Sequence, residues 1–120
     1  MKILIVGDVP KLTDLWASCL RARGASVTVV ACQDAAIRAL QSGAWEVLIL
    51  NLSMRDGSAL AVADFASYRY PDTKIIPVTS STFFSDGSVF RHVPNACTSL
   101  GIAMAPEDMA TIVEHYGMAG

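Results

Sequence analysis

EVLILNLSMRDGSAL, at residues 46–60, joins a short apolar run to a polar loop and then to a helix-like segment. Residues 47–50 are apolar without interruption and rich in β-forming side chains, as is typical of a strand covered on both faces of a parallel sheet. The run stops at Asn51, and a polar loop with Gly57 precedes the next apolar segment. Because ligands bind beyond the carboxyl ends of strands in open α/β sheets, Asn51 stands where a reactive residue is expected.

The same alternation of strand and helix extends through the whole chain. Strands are predicted at residues 2–6, 26–31, 47–50 and 74–79, and a fifth within residues 96–105. Amphipathic helices are predicted at residues 10–23, 33–43, 58–68 and 106–116. This order favours a parallel sheet with helices on both faces, in one α/β domain that spans residues 1–120.

Helical spacing predicts which side chains each helix buries. The expected buried side chains of the first helix are Leu12, Leu15, Trp16, Cys19 and Leu20. Those of the third helix are Leu60, Ala61, Phe65 and Tyr68, and those of the C-terminal helix are Met109, Ile112, Val113 and Tyr116. In the fourth strand Pro77 removes a backbone donor, which predicts a bulge or an unpaired position.

Composition narrows the range of functions. Hydrophobic residues make up 52% of the 120 residues, charged residues only 17%, and the net charge is −2. The slight negative charge argues against direct nucleic-acid binding, and no apolar run is long enough to span a membrane. The three cysteines are widely spaced, without a zinc motif, which favours a reducing cytoplasm. The high apolar fraction favours a homodimer.

The segment around Asn51 resembles the phosphoacceptor segment of bacterial response-regulator receiver domains. In that family a strand such as VLIL ends in an aspartate, and a proline and a DG pair often follow. Here Asn51 stands in the place of the phosphorylated aspartate, and Arg55 in the place of the proline. The resemblance covers nearly the whole chain. It implies a flavodoxin-like, doubly wound five-stranded parallel sheet in the order 2-1-3-4-5, with helices on both faces.

The resemblance also assigns the other positions of the family's pocket. Gly7 replaces the first of two adjacent acids that hold Mg²⁺ in the family, and Asp8 keeps the second. Thr79 matches a hydroxyl that contacts the phosphoryl group, although a threonine bonded to nearby backbone explains this residue equally well. Ile102 stands in the place of the family's lysine.

These substitutions all remove the chemistry of phosphoryl transfer. Asn51 carries a neutral amide, which is a poor nucleophile. Mg²⁺ prefers carboxylate and water oxygens, and of the three family carboxylates only Asp8 remains. Ile102 supplies no charge. The sequence therefore predicts a degenerate pocket without a catalytic residue, a metal or another cofactor.

Residues 81–95, STFFSDGSVFRHVPN, depart most from the family pattern. Asp86 and Gly87 signal a turn, so the predicted fourth helix is short or irregular and confined to residues 88–93. Four large apolar side chains are crowded into this piece: Phe83, Phe84, Val89 and Phe90. They either fill the core beside the fourth strand or form a patch for a partner, and we expect one or two of them to be exposed.

The sequence thus predicts a non-enzymatic pseudo-receiver, which is a regulatory module that acts through protein contacts without phosphorylation. Its expected partner is another signalling domain or regulator, bound by the predicted fourth helix, the fifth strand and the C-terminal helix. A small-ligand sensor that binds beside Gly7, Asn51 and Thr79 is an alternative, although no glycine-rich phosphate loop supports it. An atypical active receiver that uses Asp8 or Asp56 is the third hypothesis, although a solvated pair of Asp56 with Arg55 is the plainer explanation.

Overall fold

The computed structural model describes residues 1–52, 57–79, 100–101 and 104–118. The strands are β1 (Lys2–Val6), β2 (Ser26–Val30), β3 (Val47–Asn51), β4 (Lys74–Thr79) and β5 (Leu100–Gly101). The helices among these residues are α1 (Pro10–Ala22), α2 (Gln33–Ser42), α3 (Ala59–Arg69) and α4 (Pro106–Met118). The predicted fourth helix at residues 88–93 lies outside the described residues.

The five strands form one parallel sheet in the order β2-β1-β3-β4-β5, which confirms the predicted topology. Every residue of β3 is buried, since this strand lies at the centre of the sheet and both of its faces are covered. The helices α1 and α4 pack on one face, and α2 and α3 pack on the other.

The alternation of side chains along the strands produces two separate cores. In β1, Ile3 and Ile5 face the layer of α1 and α4, while Leu4 and Val6 face the layer of α2 and α3. The same alternation in β3 places Ile49 on the α1 side. Asn51, two residues further on, is therefore also directed towards α1.

The predicted buried face of α1 is correct except at Leu15, since Trp16 and Leu20 are buried and Leu12 and Cys19 pack against the same core. Leu15 was expected in the core, but it is 51% exposed. The buried residues are Thr13, Trp16, Ala17 and Leu20. Ala17 is fully buried, and its small side chain allows α1 to pack closely on the sheet at this point.

The predicted buried face of α3 is wrong at Leu60 and Tyr68, whereas Phe65 is half-buried and packs against the core as predicted. Tyr68 is 90% exposed and Leu60 is 40% exposed, although both were expected to be buried. The side chains that do pack on the sheet are small: Ala59, Val62, Ala63 and Ala66. Apolar residues occur all around this helix, so their spacing did not determine its rotation, and the smaller residues allow the closest packing.

Pro77 causes no bulge between β3 and β4. The register passes through it without a break, and Leu50 lies opposite Pro77. The N–H of Leu52 donates to Val78 O at 3.1 Å, so Val78 bonds towards β3 and the preceding residue faces β5. The missing donor of Pro77 therefore lies on the side of β5 and interrupts no bond to β3. On the β5 side, the described pairing begins only at Val78.

The helix α4 closes the α1 side of the sheet largely as predicted. Met109 and Val113 are fully buried, and Ile112 and Tyr116 are half-buried at the edge of the same stripe. None of the helices among the described residues is both long and apolar enough to cross a bilayer.

Candidate functional site

The carboxyl ends of β1 and β3 bring three of the predicted site residues together. Gly7 and Asp8 follow β1 directly, and Asn51 is the last residue of β3. Asn51 is 5% exposed, Gly7 is buried and Asp8 is half-buried. The N–H of Gly7 donates to Val30 O at 2.9 Å, which extends the β1–β2 pairing to the base of the site.

Neighbouring residues restrict the space for a side chain at position 7. A Cβ atom built on Gly7 would lie 3.1 Å from Thr13 Cγ2, 3.4 Å from Asn51 Cβ and 3.8 Å from Asn51 Nδ2. The first of these distances is shorter than an ordinary van der Waals contact, so a larger residue requires Thr13 to move. A glycine at this position is therefore matched to its surroundings, which include Thr13 and Asn51.

Thr13 was not predicted as part of the site. It lies on the first turns of α1, which begins at Pro10 after the extended residue Val9. Its Oγ1 donates to Val9 O at 3.2 Å, and the side chain is 4% exposed. Because its hydroxyl bonds back to the backbone of the helix, its methyl group faces Gly7. Nothing in the sequence separates Thr13 from the polar residues Lys11 and Asp14 on the outer side of the helix.

A small cavity lies between α1 and the ends of the central strands. Its volume is about 10 Å³, and its polar side chains are those of Thr13, Trp16 and Asn51. Apolar side chains form the rest of the wall: Ile5, Val6, Leu12, Ile49 and Val78. Within the part of the chain that the structure describes, the interior beside Asn51 is thus closely packed.

The described side chains at the carboxyl ends of β1 and β3 do not fit Mg²⁺, the metal that the family resemblance implies. Position 7 carries no side chain, position 51 carries an amide, and Asp8 supplies the carboxylate. The space for a second acid at position 7 is restricted by Thr13 and Asn51. Across residues 1–52, 57–79, 100–101 and 104–118, no three His, Cys, Asp or Glu side chains converge as a metal site requires.

The segment that follows β3 is attached to α2. Gln33 Oε1 accepts a hydrogen bond from the N–H of Ser58 at 2.8 Å, and Ser58 Oγ in turn accepts from the N–H of Ala61 at 3.1 Å. Gly57 has a φ of +91° and packs directly on Gln33, so a Cβ at this position would overlap the Gln33 side chain. These contacts fix the start of α3 beside the site.

The helices α1 and α4, which lie in the same layer, are linked at the amino ends of the strands. Arg23 donates to Glu114 Oε1 at 2.5 Å, and its guanidinium also lies 3.4 Å from Thr111 Oγ1. The hydrogen bond with Glu114 raises the pKa of Arg23 above its ordinary value. This ion pair lies near the amino end of β1 and is separate from the site at Asn51.

Several predicted residues fall outside this description. The backbone of Thr79 pairs with Gly101 in the β4–β5 register, as expected for a strand end. The side chain of Thr79, all of Ile102 and the loop with Asp56 lie beyond the described parts of the chain. The same is true of Phe83, Phe84, Val89 and Phe90. Their roles remain predictions.

Comparisons with known proteins identify the fold. No family model matches the sequence, and no curated protein matches it. The structure is similar to a CheY-like receiver domain protein from Methanospirillum hungatei, with 17% identity over 98% of this chain and 94% of that chain and a TM-score of 0.88. It is similar to the receiver domain of NtrX from Brucella abortus, with 18% identity over 98% and 99% and a TM-score of 0.88.

A third similar structure contains a metal. It is the receiver domain of a sensor histidine kinase from Pseudomonas aeruginosa, with a magnesium ion coordinated in its active-site cleft. Identity is 17% over 98% of this chain and 97% of that chain, and the TM-score is 0.83. The chain therefore has the fold of CheY-like receiver domains, as the sequence predicted.

Proposed function

We propose that the chain is a pseudo-receiver, a regulatory module of two-component-type signalling that acts through protein contacts without being phosphorylated. The observation that carries this proposal is the identity of the residues at the carboxyl ends of β1 and β3. Asn51 is buried at the position where the resemblance requires a phosphoacceptor, and the position of an acid at residue 7 is crowded by Thr13 and Asn51.

Aspartyl-phosphate chemistry needs an ionised carboxylate as the nucleophile. The amide of Asn51 lacks that charge, and its burial leaves it poorly placed for attack on a phosphodonor in solvent. The half-buried Asp8 follows β1, so it does not replace a nucleophile at the end of β3. The Pseudomonas aeruginosa domain holds Mg²⁺ in its cleft, and we propose that this chain has lost the corresponding capacity.

The proposal includes an interaction surface formed by residues 82–93 and α4. Large aromatic side chains commonly anchor protein interfaces, and Phe83, Phe84 and Phe90 are concentrated in this stretch. The partner is expected to be another signalling protein or a second copy of the chain. This surface rests on the sequence pattern and on the receiver-like fold.

Incubation with acetyl phosphate and Mg²⁺, followed by intact mass spectrometry, tests the loss of phosphorylation. The expected result is no gain of a phosphoryl group and no binding of beryllofluoride. The variant Asn51→Asp alone is expected to remain almost unlabelled, since positions 7 and 102 stay unchanged. The triple variant Gly7→Asp, Asn51→Asp and Ile102→Lys is the stronger attempt at rescue. An acid-labile adduct on an aspartate of the native chain would contradict the proposal and favour an atypical active receiver.

The interaction surface needs a separate experiment. If Phe83 or Phe84 is exposed, its replacement by Ser is expected to weaken partner binding or self-association by about 1–3 kcal/mol with the fold intact. If both are in the core, replacement costs roughly 3–5 kcal/mol of stability instead. Thermal melting and sedimentation distinguish these results, and Leu15→Ser, on the exposed face of α1, is the matched control.

The variant Asn51→Ala tests whether partner binding depends on the pocket or on the proposed interaction surface. Under the proposal, this variant binds the partner as the native chain does. Loss of binding in Asn51→Ala, together with normal binding by the Phe83 and Phe84 variants, would place the active surface at the pocket and favour the small-ligand sensor.

A further inference from the structure

We propose that the guanidinium of Arg21 closes the edge of the sheet at β2 and thereby prevents a second copy of the chain from adding its own β2 strand there. The starting observation is the position of β2. Among the strands that the structure describes, it comes first in the order β2-β1-β3-β4-β5 and has a neighbour on one side only. An uncovered edge strand offers its backbone donors and acceptors to other chains, and native folds usually carry a feature that blocks such pairing.

The backbone hydrogen bonds show which groups of β2 face outwards. The N–H of Ser26 and the C=O of Val30 both bond to the residues that flank β1, at 2.8 and 2.9 Å. In a parallel pair, alternate residues of a strand bond to the same neighbour. The N–H and C=O groups of Val27 and Val29 therefore point away from β1, towards the open side of the strand.

The residues of β2 carry none of the usual protective features. Its sequence, SVTVV, contains no charged residue, proline or glycine. Its pairing with β1 continues without a bulge from Lys2 opposite Ser26 to Val6 opposite Val30. Short uncharged segments of high β propensity pair readily with one another. Protection of this edge therefore has to come from another element.

Arg21 supplies that protection from the last turn of α1. Its Nη2 donates to Val27 O at 2.8 Å, and this oxygen is one of the outward acceptors of β2. A strand added at this point needs the same oxygen for its own N–H. It would have to replace a charge-assisted hydrogen bond by a weaker bond between neutral backbone groups, which disfavours the pairing.

The helix α1 does not need Arg21 to complete its own end. Basic side chains in a last turn can bond the final carbonyl groups of their helix. Here the carbonyl of Leu20 accepts from the N–H of Ala25 at 3.1 Å, and the carbonyl of Arg21 accepts from the N–H of Gly24 at 2.9 Å. Backbone donors thus satisfy these carbonyl groups, and the guanidinium is left to bond the edge of the sheet.

The inference is independent of the proposed function, because it concerns the edge at β2 and neither phosphorylation nor the surface that includes α4. Sedimentation velocity of the native chain and of Arg21→Met tests it, since methionine keeps a long apolar side chain and removes the donors. Arg21→Met is expected to self-associate about tenfold more tightly than the native chain, the equivalent of about 1.4 kcal/mol.

The control is Arg38→Met, which makes the same change of charge at an exposed position of α2. It is expected to sediment as the native chain does. Equal self-association of Arg21→Met and the native chain, or of Arg21→Met and Arg38→Met, would overturn the proposal.

Amide hydrogen exchange locates the association. In the native chain the outward N–H of Val29 is expected to exchange without protection at every protein concentration, whereas the N–H of Thr28, which faces β1, is protected. In Arg21→Met the N–H of Val29 is expected to gain protection as the concentration rises. Self-association without this protection would place the contact elsewhere and overturn the proposal.

A double variant, Arg21→Met with Val29→Pro, removes a donor that is not bonded within the sheet, as an edge strand tolerates. It is expected to return to the sedimentation behaviour of the native chain. Continued association would overturn pairing through β2. If thermal melting shows that the double variant does not fold, the exchange of the Val29 N–H in Arg21→Met decides the question.

Discussion

The methyl carbon Cγ2 of Thr13 lies 3.1 Å from the point at which a side chain on Gly7 would begin. A residue on α1 thus limits what the end of β1 can carry. An acid at position 7 would therefore add a charge and would also crowd Thr13 on the adjacent helix. Restoring the acid then requires the side chain of Thr13 to shift.

Gly7→Ala is expected to destabilise the chain by about 1–3 kcal/mol, the usual cost of overpacking. Thr13→Ser removes the nearest contacting atom and keeps the hydroxyl bond, so the double variant should recover part of that loss. Urea unfolding of the native chain, the two single variants and the double variant gives the coupling energy between positions 7 and 13. Gly101→Ala is the control, since a Cβ there meets no described residue within 4 Å. Additive effects of Gly7→Ala and Thr13→Ser would contradict the contact.

Alanine substitutions at Gly57 and Gly24 distinguish the stability cost of backbone strain from the cost of steric overlap. Both have a left-handed φ, +91° and +94°, but only a Cβ on Gly57 overlaps a neighbour, Gln33. Gly24→Ala is expected to lose about 1–3 kcal/mol through strain alone. Gly57→Ala should lose more by a further overpacking cost, again about 1–3 kcal/mol, in the same denaturant titration. Equal losses would show that Gln33 moves aside without cost.

Asn51→Asp is expected to make the stability depend on pH. A carboxyl group at a position that is 5% exposed has a raised pKa in the folded state, because desolvation penalises its charged form. The folded state then binds the proton more tightly than the unfolded state, so stability falls as pH rises from the unfolded pKa, about 3.9, through the folded pKa. Each unit of the shift costs about 1.4 kcal/mol at neutral pH.

Urea midpoints of Asn51→Asp and of the native chain, measured from about pH 4 to pH 7, test this prediction. The difference between the two proteins should widen towards neutral pH. A difference that narrows instead would mean that a cation near position 51 lowers the pKa of the new carboxyl group.

Thr73→Val tests the contribution of a buried hydrogen bond at the amino ends of the strands. Thr73 is 3% exposed, and its Oγ1 donates to Trp45 O at 2.7 Å. The isosteric replacement removes this donor and is expected to cost about 1–3 kcal/mol in thermal or urea unfolding. Thr28→Val, at an exposed position of β2, should change stability by less than about 0.5 kcal/mol. Similar effects of the two substitutions would show that the bond to Trp45 contributes little.

The sheet could be predicted from the sequence because its signals are local and strong. The runs ILIV at residues 3–6 and VLIL at residues 47–50 are apolar without interruption, which marks strands covered on both faces. The parallel order then brings Gly7 and Asn51 to one edge, since β1 and β3 are neighbours that end on the same side. The division into two cores follows from the period of two along each strand.

The rotation of the helices and the role of Thr13 could not be predicted in the same way. In α3 the apolar residues surround the helix, so spacing alone favoured Tyr68 for the core, and the structure places it outside. Thr13 acquires its role only through the close approach of α1 to Gly7, which is a distance between elements and has no counterpart in sequence spacing.

The position of β1 between β2 and β3 has a consequence for synthesis of the chain. By residue 51, less than half of the 120 residues, three adjacent strands of the sheet are complete. Residues 2–51 therefore contain both sheet neighbours of the apolar residues 3–6, so this half of the sheet needs no strand from later in the chain. The sheet then grows in one direction only, from β3 to β4 and β5. The polar end of β3 at Asn51 thus belongs to the half of the sheet that is synthesised first.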